Sequence, residues 1–171
     1  MILDMTPEPV RPFRSRDVSF KPALDAWELL AYRRLRRRIF CDEQGLFQDD
    51  DGDAIDDRAT PLVAMSNVAG MPDSVVGVVR IWESEPRQWW GGRLGTHPEH
   101  RGDRTIAPGL VHLAVATACR RGCSRFRATV QMQNVPLFER LHWAVTGTTA
   151  VCDRPHALME ADLSHYGGGP A

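Results

Sequence analysis

The run Leu94-Gly95-Thr96-His97-Pro98-Glu99-His100-Arg101-Gly102-Asp103-Arg104-Thr105-Ile106-Ala107 decides how this chain folds. Its first three residues close a β-rich stretch, the next eight make a polar turn with one glycine and two arginines, and a helix opens behind them. Such a junction suits a pyrophosphate. Free amides of the first helical turn and the positive end of the helix dipole face the anion, and arginine adds charge-assisted hydrogen bonds. A helix start with nothing bound has the same local pattern. Downstream, Ile106, Leu110, Leu113, Ala114 and Ala118 share one helical face, and Arg120, Arg121 and Gly122 give a basic last turn and a stop.

Working outward, three β-rich runs precede the junction at 61–68, 74–82 and 89–96, separated by turn material at 69–73 and 83–87. An antiparallel meander is the economical reading. Trp89 and Trp90 stand beside Gly91 and Gly92; one indole suits the core and the other a pocket wall, and the glycines suit a bulge. After the second helix come a strand at 125–130, a short helix at 135–141 and closing strands at 143–151 and 155–162. At the front, a strand at 18–21 is stopped by Pro22. A helix from 24 to about 44 follows, with Trp27, Ala31, Leu35 and Ile39 as its buried stripe, and Gly45 ends it. The order is that of a mixed α/β domain over 15–166, with an extended arm at 1–14 and a flexible tail at 167–171.

The chain has 171 residues, 43% of them hydrophobic, and a net charge of −1, which fits one domain and excludes a strongly basic nucleic-acid binder. Neutrality hides two opposed blocks: five arginines within 33–38 and six aspartates within 49–57. Each reads as a solvated surface, or as a face that meets an acceptor or partner. Cys41, Cys119, Cys123 and Cys152 are scattered, which suits neither a disulfide framework nor a zinc site, so no metal is expected. With no secretory signal and no membrane-length apolar run, the expected location is the cytoplasm.

The segment 96–102 resembles the Val-x-Pro-x-x-Arg-Gly motif of the GCN5-related N-acetyltransferases, the GNAT superfamily. A second block, Thr129 to Asn134 followed by Leu137-Phe138-Glu139-Arg140-Leu141-His142-Trp143, is similar to the strand, asparagine and Leu-Tyr-x-x-Leu-Gly-Phe ending of that family. Phe138 replaces the tyrosine that protonates the leaving thiolate in many members, and one residue is added between Arg101 and Ile106. A third block, Arg36, Ile39, Phe40, Glu43 and Gly45 with Asp53, Asp56 and 76–80, resembles the front half of ElaA-like acetyltransferases and acyl-homoserine-lactone synthases. With 155–159 it resembles a small bacterial subgroup often fused to an aminoimidazole-ribotide-synthase-like domain.

The resemblance implies a GNAT fold: a twisted mixed sheet of six to seven strands, antiparallel at its N-terminal part, with strands splayed near Thr96 and Val130 and helices on both faces. It implies acetyl-CoA or another acyl-CoA as co-substrate, held by Leu94, Gly95, Thr96, Arg101, Gly102, Asp103, Arg104, Thr105, Ile106, Ala107, Asn134 and Phe138, with the Thr96 amide a donor to the thioester carbonyl. Relatives often carry a Glu or His base on the central strand, but 89–93 here holds neither. Glu43, Glu83 and His156 are the candidate catalytic groups, with His142 a further candidate; Phe40, Asp53, Asp56 and Arg80 are candidates for the acceptor side. The implied reaction is N-acylation of a small amine-bearing metabolite. A non-catalytic acyl-CoA-binding or partner module, and homoserine-lactone-like chemistry with S-adenosylmethionine, are the alternatives. Nucleic acid and membrane are not expected partners; a second copy or a synthase-like partner is.

Overall fold

The computed structural model describes residues 15–167; the expected arm at 1–14 and residues 168–171 of the expected tail lie outside them. Strand β1 (Val18–Pro22) leads to α1 (Ala26–Arg37), which widens into a π-helical turn (Arg38–Glu43). Then come β2 (Thr60–Val68), β3 (Met71–Glu85), β4 (Gln88–Thr96), α2 (Ile106–Arg120), β5 (Arg125–Gln131), α3 (Val135–Arg140), β6 (Trp143–Val151) and β7 (Arg154–Ala161). They form one seven-stranded sheet in the order β1-β2-β3-β4-β5-β7-β6. Only β4 and β5 run parallel; every other neighbouring pair is antiparallel.

Strands β3 and β4 are longer than the pattern suggests because their turns need only two residues. Ala69 and Gly70 both take positive φ (52° and 76°), the geometry of a tight hairpin that matches strand twist. Cys152 and Asp153 (48° and 58°) repeat it between β6 and β7, which leaves Cys152 exposed rather than in the core.

Both sheet faces are covered around β2 and β3. Leu62 and Ala64 point to α2, Val63 and Met65 to α1, so β2 reads as an unbroken apolar run. The buried stripe of α1 differs from the expected one. Tyr32, Leu35, Ile39 and Phe40 face the sheet together with the charged Glu28 and Arg36, whereas Trp27 is 44% exposed. Two physical causes shift the phase. Glu28 is drawn in by Lys21 and by the amides of Leu24 (3.0 Å) and Asp25 (3.2 Å), which cap the helix start. At the other end the Gln44 amide bonds the Ile39 carbonyl five residues back (3.1 Å), and the widened turn faces both Ile39 and Phe40 inward.

Gly77 sets how closely α2 lies on β3. A Cβ there would stand 2.7 Å from Ile106, 2.8 Å from Leu110 and 3.2 Å from Ala64, all fully buried side chains. Gly77→Ala should therefore destabilise the chain by about 1–3 kcal/mol through overpacking, read as a lower midpoint in chemical denaturation.

Candidate active site

The β4–β5 ladder has only four residue pairs, from Gln88↔Arg125 to Gly91↔Ala128. Beyond them β4 stays with β3 as far as Thr96 and β5 stays with β7 as far as Gln131, so the two strands part and leave a gap. A bulge on β4 accompanies the parting. Val78 faces Gly95 and Arg80 faces Gly92, so Arg93 and Leu94 both stand opposite Val79. The bulge falls at Arg93, at φ 55°, rather than at the two glycines. Gly91 and Gly92 serve another need: a Cβ at these positions would stand 3.1 Å from the Phe126 ring and 3.3 Å from the Trp82 ring.

The register also orients one amide. The His97 amide bonds the Val76 carbonyl at 2.8 Å, which makes 97 and 76 a hydrogen-bonded pair. Thr96, next along and opposite Gly77, must turn its amide away from β3 and toward the gap.

A cavity of about 500 Å³ occupies this gap and reaches both faces of the sheet. Toward α2 its wall is apolar, with Leu94, Val111, Ala114, Val130 and Phe138. Toward α1 it is aromatic and polar, with Phe47, Arg80, Trp82, Trp90, Arg93 and His156. Trp89, by contrast, is buried in the core.

The opposed charge blocks meet beside this second wall. Arg36, only 3% exposed, donates from Nε to Asp51 at 2.7 Å and from Nη1 to Asp56 at 2.5 Å. Arg80, 2% exposed, forks onto both oxygens of Asp53 at 2.7 Å and pairs with Asp56 at 2.8 Å. Arg93 joins Asp51 at 2.9 Å and stacks over the Phe47 ring at 4.4 Å. Three guanidiniums and three carboxylates thus fasten the segment between α1 and β2 to the helix, through Arg36, and to the sheet, through Arg80 and Arg93. Burial alone would raise the Asp56 carboxyl, but hydrogen bonds from Arg36 and Arg80 outweigh it and hold it well below the usual carboxylate range. The expected solvated helix face survives for Arg33, Arg34, Arg37 and Arg38, but Arg36 departs from it. The aspartate block is equally divided: Asp51, Asp53 and Asp56 are spent on arginine.

The structure brings some predicted site residues together and separates others. His156 is 5% exposed, lines the cavity, and holds its Nδ1 2.9 Å from the Arg154 carbonyl. A carbonyl only accepts, so Nδ1 carries hydrogen, and in the neutral form of the ring the acceptor is Nε2. Phe40, Asp53 and Arg80 line the same wall; Asp56 sits behind them. Glu43 does not reach the cavity: it pairs with Arg101 and, at 3.8 Å, with Arg38. Glu83 is a correction, for it accepts the Arg87 amide (2.6 Å) in the β3–β4 turn at the opposite end of the sheet. His142 is another, stacked on His165 at 3.6 Å away from the cavity.

Of the expected CoA contacts, Leu94, Asn134 and Phe138 line the cavity and Thr96 presents its amide. Gly95 does not: it is bound to Val78 and packs against Ile39 and Phe40. Ile106 is fully buried, which leaves only its backbone at the helix start, where it and Ala107 occupy the first two positions. Asp103 accepts from the Thr105 amide (2.8 Å) and hydroxyl (2.6 Å), so a carboxylate already serves that amide. Arg104 is exposed and makes no ion pair among the described residues, while nothing lies within 4 Å of a Cβ at Gly102. Arg93, Thr129 and Gln131, all at the cavity, were not legible as site residues; an arginine between Gly92 and Leu94 inside a strand was the available signal.

Among the described residues no group of three His, Cys, Asp or Glu could hold a metal. All four cysteines are free; burial pushes the Cys41, Cys119 and Cys123 thiols up, Cys123 to about 11, so none of these three is an activated nucleophile. No described helix is long and apolar enough to cross a membrane.

Comparison with known proteins agrees with this geometry. No curated protein matches the chain in sequence. A Lactobacillus plantarum protein described as an N-acetyltransferase superposes with a TM-score of 0.75 at 21% identity, over 85% of this chain and 98% of that one. Escherichia coli ElaA gives 0.68 at 18%, over 85% and 100%. The CoA-dependent acyl-homoserine lactone synthase BjaI gives 0.66 at 18%, over 87% and 85%. The model of the acetyltransferase (GNAT) family matches residues 22–143, and the chain belongs to that family of acyltransferases.

Proposed function

We propose that this chain transfers an acyl group from a CoA thioester to the amine of a small metabolite, with acetyl-CoA as the first donor to test. The observation that carries the reading is the gap between β4 and β5, with the Thr96 amide turned into it and a cavity open to both faces. An acyl-CoA supplies an activated thioester carbonyl, and the residues present suit it: an unspent strand amide, an apolar wall under Val111 and Val130, and arginine at the mouth.

The amide of Thr96 donates to the carbonyl oxygen as its charge grows. His156 takes the proton that the amine nitrogen loses as the new N–C bond forms, using the Nε2 acceptor that its bond to Arg154 leaves available. Phe138 is apolar and gives the departing sulfur no proton. With a thiol pKa near 8.5, release as thiolate followed by protonation from solvent is tolerable near neutrality. Arg104 and the first amides of α2 face the diphosphate, joined by Arg101 once it exchanges Glu43 for the ligand.

The test is release of free CoA thiol from acetyl-, butyryl- and hexanoyl-CoA with a broad amine panel that includes S-adenosylmethionine. CoA binding with no thiol release from any pairing would favour a non-catalytic acyl-CoA module, the reading to which Phe138 lends support. Arg104→Ala should weaken CoA binding about tenfold by calorimetry. Arg101→Ala should weaken it less, because Glu43 already neutralises that guanidinium. Wild-type affinity in both variants would remove the loop from the donor site.

A further inference from the structure

We infer that the acceptor is an amine that also carries a carboxylate, bound through it to the floor of the α1-side wall; this rests on the acyl-transfer reading. Arg80 is nearly fully buried and its two terminal nitrogens are taken by Asp53 and Asp56, yet its Nε has no hydrogen-bond partner. A buried orphan donor on a cavity wall calls for an explanation, since leaving one unmet costs stability. Residue 92 beside it is glycine, where an added Cβ would lie 4.0 Å from that nitrogen and 3.3 Å from the Trp82 ring.

A second unmet donor lies along the same face. Arg127, opposite Trp90 on β5, stacks over that indole at 4.6 Å; its Nε is buried without a partner. It makes no ion pair among the described residues, and Glu160 across the ladder is bound to Arg125 at 2.7 Å. Between the two guanidiniums stand Trp82 and Trp90, stacked at 6.5 Å. The floor therefore offers one unmet donor, on Arg80, and aromatic surface, with Arg127 packed behind Trp90.

It offers no anion to a cation. Asp53 is the one carboxylate among the described lining residues, and both its oxygens are held by Arg80. A polyamine finds no unpaired carboxylate, whereas guanidinium is a donor-only group suited to carboxylate oxygen. With that oxygen on the Arg80 side, the amine is left to face His156 and the gap.

Binding and turnover separate this assignment from the reading beneath it. Amino acids and their decarboxylated partners (phenylalanine and phenethylamine, tryptophan and tryptamine, arginine and agmatine, lysine and cadaverine), with spermidine, are titrated calorimetrically into the chain saturated with CoA. The same compounds are then assayed for thiol release with the three acyl-CoA donors. At least one acid should bind about tenfold or more tighter than its decarboxylated partner. Gly92→Ala, whose Cβ would press on the Trp82 ring beside the Arg80 Nε, should reduce that ratio toward one. Equal or reversed affinities within the pairs, preference for spermidine, or no binding by any acid would overturn the carboxylate assignment. Selective binding of an acid without thiol release would overturn acyl transfer while upholding the recognition.

Discussion

Replacing Arg36 with methionine should destabilise the chain by about 3–5 kcal/mol, the usual penalty for removing one partner of a buried ion pair. The aliphatic stem would be kept in volume, so the loss reports charge rather than packing. Asp51, with a side chain 3% exposed, would retain only Arg93 against its buried charge, and Asp56 only Arg80. Against a typical total of about 5–15 kcal/mol this is a large share, and the melting temperature should fall by about 10 °C. Arg36→Lys should not restore it, because one ammonium cannot serve Asp51, Asp56 and the Tyr32 hydroxyl (3.1 Å) with the fork of a guanidinium. Urea denaturation followed by far-UV dichroism measures both variants. A change below about 1 kcal/mol in Arg36→Met would show that the three-by-three lattice is no more than a surface ion-pair cluster.

His156→Gln should lower kcat by about 10²–10⁴, the ordinary contribution of a positioned general base, while acyl-CoA affinity stays at the wild-type value. The amide nearly preserves size, and the Arg154 carbonyl can still be met by a side-chain N–H. Its discriminating readout is kcat against acyl-CoA affinity: kcat alone should fall, whereas loss of a purely structural histidine would disturb both. If the variant keeps its rate, the proton leaves by another route, and Gln131 with bound water on the same wall becomes the place to look.

Much of the fold was legible because its signals are local. Turn material at 69–73 and 83–87, the glycine stop at Gly122 and the loop before Ile106 each follow from nearest neighbours in the chain, although the turns themselves shrink to 69–70 and 86–87. The splay also followed, once the loop was matched to its family. What escaped was tertiary. On α1 the expected stripe held at Leu35 and Ile39 but failed at Trp27, because a strict four-residue period passes through that residue while the buried face runs through Glu28, Tyr32 and Arg36, two of them charged and buried by their partners. Periodicity counts apolar side chains and has no means of crediting a buried guanidinium. Two charge blocks of opposite sign and near-equal size were the available clue. Glu83 was misplaced for a similar reason: proximity to the central strand in sequence says nothing about which end of that strand a hairpin brings it to.

The bulge at Arg93 carries one more consequence. A non-glycine residue at positive φ is held at a cost of roughly 1–2 kcal/mol, and here it is held by Asp51 and Phe47, which belong to the segment between α1 and β2. Release of that segment would let β4 relax, and relaxation of β4 would turn its free amides elsewhere. The acceptor wall and the donor slot are therefore one cooperative unit in hydrogen exchange: protection of the amides of 46–58 and of 93–96 should rise and fall together, whichever of the two ligands binds first.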